Sequence, residues 1–227
     1  MTTCRFCRQK DAIEKSHIIP EFMYAQPYDE KRKILVLDTD LKELRPRQKG
    51  YYEPILCMDC EGYFNDNFEK PCVNLIKKLP DQVAINRLTK INATPNLDLL
   101  LLSIVWRASM AKGENWKGLE LGPHQENIKK CLQNRSVDKR YEFWVFIVSS
   151  KDGMVQKGLV TSVKFIRVKS HNLYHFVGGG LQFVIKISSH SLYDVQPKAM
   201  RFGASFNVPA LDIVDLPSLR EIFKGNR

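Results

Sequence analysis

Four cysteines are the residues best arranged for chemistry. Cys4-Arg-Phe-Cys7 and Cys57-Met-Asp-Cys60 are two CxxC pairs, with residues 8–56 between them. Each pair is a knuckle that presents two thiolates to one tetrahedral ion. Four soft sulfur ligands suit zinc or an iron centre, and a closed set of four points to a structural role. The ion would close a loop of about fifty residues, so this part of the chain needs it in order to fold. A redox CxxC is the alternative reading, but it calls for a single pair beside a βαβ pattern, which the sequence lacks. Cys72 and Cys131 have no partner at such spacing and read as core residues.

A second set lies between and just beyond the knuckles. His17 stands in Lys15-Ser16-His17-Ile18-Ile19-Pro20, and Glu61 directly follows the second knuckle, with Asn65 four residues later. On a helix Glu61 and Asn65 share a face, and Glu69 follows one further turn on. A neutral imidazole can accept a proton near pH 7. A carboxylate with a carboxamide suits Mg²⁺ or Mn²⁺ better than zinc. The basic stretch Lys42–Lys49, with Arg45, Arg47 and Lys49, is expected to be a loop between hairpin strands that grips phosphates or is simply solvated. Lys31-Arg32-Lys33 adds to its charge. His171 and His175 are spaced four apart in a strand-like stretch, about 13 Å along a strand, and read as surface or core histidines. Gly178-Gly179-Gly180 precedes a strand rather than a helix, so it reads as a hairpin turn and not as a phosphate loop.

Taken together, Cys4-x-x-Cys7, Ser16-His17-Ile18-Ile19-Pro20 and Leu56-Cys57-x-x-Cys60-Glu61 resemble the zinc-bearing HNH endonucleases over residues 1 to 70. The resemblance implies a ββα-metal fold, with the histidine on the first strand of a hairpin and a helix crossing it. It implies His17 as general base, and a divalent cation (Mg²⁺ or Mn²⁺) held by Glu61 and Asn65 with Ser16 beside them. Two positions depart from the family pattern. Ser16 stands where many members have an aspartate or histidine ligand. Tyr52 and Glu53 stand where the middle asparagine should fall, so either Gln48 or Glu53 orients the base or the site is degraded.

These residues need elements to position them. Cys57 to Lys70 reads as a helix, with Phe64 and Phe68 on its apolar face, broken or restarted at Pro71 and continuing from Cys72 to Leu79. Thr94-Pro95 is expected to start a helix running to Lys112 and ending at Gly113, and a second helix follows Gly122-Pro123 to about Asn134. Tyr141–Ser149, Gly158–Val168, Leu173–Val177 and Leu181–Ile187, with a turn at Asp152-Gly153, read as an antiparallel sheet, and Pro217 to Lys224 as a final short helix. The fold class expected is therefore α+β: a zinc-stapled ββα-metal module over 1–79, then helices and an antiparallel sheet over 80–227.

The opening MTTCRFCRQK lacks the apolar stretch of a secretory signal, and Leu99 to Val105 is too short to span a bilayer. The expected setting is a reducing cytoplasm, where paired cysteines hold metal rather than form disulfides. The net charge of +10 is unevenly spread: residues 1–70 carry 12 Lys/Arg against 13 Asp/Glu, and residues 71–227 carry 23 against 12. Such a surplus fits a surface that holds a polyanion, or a general solubility charge. The function expected is metal-dependent phosphodiester hydrolysis, in DNA ahead of RNA. The remainder of the chain would hold substrate or a regulatory protein partner, and the setting suggested by the resemblance is bacterial or phage defence. The competing expectation is a zinc-stapled binding module without catalysis.

Overall fold

The computed structural model describes residues 2–24, 34–38, 43–47, 50–84, 87–91, 96–168, 170–189 and 206–213. It is a mixed α+β structure whose described residues form three sheets. In the smallest sheet, β1 (Ser16–His17) pairs antiparallel with β4 (Tyr52–Glu53), opposing Ser16 to Glu53 and His17 to Tyr52. The two strands are joined by a long excursion rather than a tight turn. Part of that excursion, β2 (Ile34–Asp38) and β3 (Glu43–Arg47), forms a second sheet with β7 (Leu159–Thr161), which lies parallel to β2.

This corrects the expectation for the basic stretch. Arg45 and Arg47 belong to strand β3 and not to a loop. Pro46 is compatible with that strand because β3 is an edge, where one side of the ladder needs no N–H donor. Lys49, Gln48 and Lys31-Arg32-Lys33 lie outside the described residues.

The third sheet has the order β5-β11-β6-β10-β9-β8, built from β5 (Leu88–Ile91), β6 (Glu142–Ser149), β8 (Lys164–Val168), β9 (His171–Gly178), β10 (Leu181–Lys186) and β11 (Phe206–Asp212). It is antiparallel except where β11 runs parallel to β6. Pro209 marks the point at which β11 stops pairing with β5 and starts pairing with β6. The stretch expected as one strand over 158–168 is two, β7 and β8, assigned to different sheets. Gly179 and Gly180, at φ +61° and +83°, make the β9–β10 turn, a backbone path that side chains oppose.

The helix expected after the second knuckle is present in segments: α1 (Met58–Phe64), a π turn over Asn65–Glu69, a 3₁₀ turn over Lys70–Cys72 that contains Pro71, and α2 (Val73–Lys77). The central helix α3 (Leu97–Met110) stops short of Lys112, because both oxygens of Glu53 accept the N–H groups of Lys112 (2.6 Å) and Gly113 (2.9 Å) and draw the chain off the helix axis. The start expected at Thr94-Pro95 and the closing helix at Pro217 lie outside the described residues. Helix α4 (His124–Asn134) sits where its pattern placed it.

One apolar core links these parts. Phe6 of the first knuckle meets Phe64 of α1 edge-on at 4.9 Å between ring centroids and Trp106 of α3 at 5.7 Å. Such aromatic contacts contribute about 1 kcal/mol each beyond their burial. The same core continues through Val145, Phe176 and Phe183 of the large sheet. Among the described residues no helix is long and apolar enough to cross a membrane.

Candidate functional site

The two knuckles meet. The sulfur atoms of Cys4, Cys7, Cys57 and Cys60 all lie within 4.8 Å of one another, and Cys7 Sγ is 3.8 Å from Cys57 Sγ. On a tetrahedral zinc with Zn–S bonds of about 2.3 Å, neighbouring sulfurs stand about 3.8 Å apart, so this set could hold a zinc ion without rearrangement. Each knuckle closes on its own backbone. Arg8, at φ 59°, donates its N–H to Cys4 O (3.0 Å), and Glu61 donates its N–H to Cys57 O (2.9 Å) as the first bond of α1. The thiols are unequal. The backbone N–H of Gln9 is the chief reason that Cys7 is lowered to about 6, whereas burial raises Cys57 and Cys60. Binding a metal would take the proton from each thiol that still carries one.

Glu61 leaves the same helix start and points at β1. Its carboxylate accepts from Ser16 Oγ (2.8 Å), from the His17 backbone N–H (3.2 Å), and lies 3.4 Å from His17 Nδ1. Ser16 is fully buried, while His17 is partly exposed and its ring stands 4.6 Å from that of Tyr52. Burial works against ionisation of Glu61, but His17, the positive charge of Arg107, and Ser16 outweigh it and hold the carboxyl below its usual range. An ionised carboxylate facing Nδ1 favours the tautomer with the proton on Nδ1, leaving Nε2 as the basic nitrogen.

The structure therefore brings Ser16, His17 and Glu61 together. Asn65 is not part of that group: it opens the π turn and is exposed. Glu53 does not orient the histidine, since its carboxylate is spent on Lys112 and Gly113. Glu69 turns inward and accepts from Arg107 Nη1 at 2.8 Å, and the same nitrogen donates to the His17 carbonyl at 2.8 Å. Sequence reasoning passed over Arg107. The available signal was a cation inside an otherwise apolar helix, with Ser103 one turn before it.

Outside this site, His171 and His175 are both buried in β9, and His171 Nδ1 lies 3.2 Å from Ser188 Oγ. No second group of His, Cys, Asp and Glu is arranged to hold a metal among the described residues. No protein-family model, curated protein or solved structure matches the chain.

Proposed function

We propose that this chain is a metal-dependent, HNH-type endonuclease that hydrolyses phosphodiester bonds, in DNA ahead of RNA, with His17 as general base. The observation that supports it most is the pairing of His17 Nδ1 with the Glu61 carboxylate (3.4 Å), on a strand and a helix set beside four clustered cysteines. Zinc at Cys4, Cys7, Cys57 and Cys60 is structural: it fixes the start of α1 and with it Glu61.

In this reading the protein orients the base rather than leaving it free. Glu61 holds the Nδ1 proton, and Nε2 takes the proton of the attacking water. The pairing opposes rotation of the ring, and its charge stabilises the imidazolium that forms. Ser16 and Glu61 supply oxygen donors of the kind that Mg²⁺ or Mn²⁺ prefers, and such an ion, when bound, polarises the scissile phosphate and stabilises the leaving oxygen. The basic surplus beyond residue 70 would hold the phosphate backbone, so binding should weaken steeply as salt rises.

A second reading, a zinc-stapled binding module without catalysis, is favoured by one observation: both oxygens of Glu61 are already hydrogen-bonded within the protein. Nicking of supercoiled plasmid by the zinc-loaded protein separates the two, with Mg²⁺, Mn²⁺ or EDTA added and structured RNA run in parallel. The proposal expects nicking with Mg²⁺ or Mn²⁺ and none in EDTA. Salt-sensitive binding without cleavage of either nucleic acid would favour the binding module.

A further inference from the structure

Helix α3 is apolar along most of its length, yet Arg107 near its end has no exposed surface. A buried guanidinium costs several kcal/mol unless its N–H groups find acceptors. Arg107 makes four hydrogen bonds. Nε and Nη2 donate to Ser103, to the carbonyl (3.3 Å) and the hydroxyl (3.2 Å), while Nη1 donates to the His17 carbonyl and to Glu69 Oε1, both at 2.8 Å. Its charge also lies over the Phe64 ring, 5.3 Å from the centroid. The side chain thus ties three segments to one another: α3, strand β1 and the π turn.

The π turn is what places Glu69 within reach. Along an unbroken α-helix, Glu69 would point about 80° away from Glu61, eight residues earlier. A π turn absorbs one extra residue, which reduces the offset to about 20°. Glu69 is thereby brought round to the side of the helix that carries Glu61, where Arg107 meets it.

We propose that Arg107, anchored by Glu69 and Ser103, is the positioning residue of the His17 site. It holds the His17 carbonyl while Glu61 holds the same residue's N–H, so His17 is gripped on both sides of its α-carbon and its ring is fixed against Glu61. The catalytic part of this role rests on the nuclease reading given above, whereas the positioning part does not. A purely structural buried cation offers a contrast within the same chain. Lys186, equally inaccessible, bonds to Arg140 O and Glu142 Oε1, both at 3.0 Å, away from His17.

The test compares Arg107→Lys, Glu69→Gln and the control Lys186→Met with wild type, all zinc-loaded. One readout is the ¹⁵N ring spectrum of His17, which reports its tautomer. The other is kcat and KM for plasmid nicking with Mg²⁺. Arg107→Lys keeps the charge but loses the fork, and is expected to mix the His17 tautomers. Its kcat should fall on the order of 10- to 100-fold with KM changed by no more than about twofold. Glu69→Gln should shift the same ring signals by less, and Lys186→Met should lower thermal stability without moving them. Wild-type ring signals in both Arg107→Lys and Glu69→Gln would overturn the proposal, and if Arg107→Lys does not fold, Glu69→Gln decides. If wild type cuts no nucleic acid while the ring signals still move in these variants, the positioning role stands and the nuclease reading falls.

Discussion

Around the cysteines the chain has little regular structure to rely on: β1 and β4 pair over two residues each, and α1 is seven residues long. In the large sheet, β10 pairs over six residues with β6 on one side and six with β9 on the other, and its Leu181, Phe183 and Ile185 are fully buried. The sheet can draw its order from apolar burial and continuous ladders. The cysteine end, with two-residue ladders and side chains committed to polar contacts, gains most from a cross-link, which four thiolates on one ion provide. The difference shows how a chain can devote a region to polar chemistry: the stability comes from a metal and from a neighbouring core rather than from the region itself. Arg107 is the join, a side chain rooted in the core helix that reaches out to the polar strand.

The largest effect should come from breaking the staple. Chelation of zinc, or Cys57→Ser, is expected to abolish amide protection across residues 4–24 and 50–69 while β6, β9 and β10 remain protected, as read by hydrogen exchange. Equal loss of protection in β10 would show that the two regions unfold as one, and the contrast between them would fail.

Acid should act on the sheet. His175 is 3 % exposed and its Nδ1 has no hydrogen-bond partner. Burial, with Lys164 adding to it, depresses the ring to about 4. The unfolded chain has a value of about 6.5 and so takes up the proton first as pH falls. This contribution to stability is therefore complete above pH 6.5 and is lost as pH drops from there toward 4, by up to about 3 kcal/mol. Denaturant midpoints of wild type and His175→Leu between pH 7.5 and 4.5 measure it, the variant being expected to show the shallower decline. Parallel declines would place the acid sensitivity elsewhere, with the cysteine end as the first suspect.

What could be read in the sequence was mostly what is local. Two CxxC pairs encode their own geometry, so the four sulfurs could be grouped before any fold was known. Gly179-Gly180 and the helix after Pro123 were readable for the same reason. Strand β3 was not: Glu43-Leu-Arg-Pro-Arg47 has charges and a proline that read as loop, and becomes a strand only because its neighbours leave it at an edge. The Asn65 expectation failed through helix geometry, since spacing of four presumes an α-helix and the π turn starts at that residue. Arg107 was illegible as a site residue because its partner His17 lies ninety positions away and nothing in the local pattern announces the contact.

The claim that His17 is the base of a phosphodiester hydrolase is tested most directly by comparing wild type with His17→Ala at matched zinc content. The measurement is single-turnover nicking of supercoiled plasmid in Mg²⁺ or Mn²⁺. The account predicts metal-dependent nicking by wild type and a loss on the order of 10²- to 10⁴-fold in the variant, with plasmid binding unchanged. Equal nicking rates for the two proteins would contradict it.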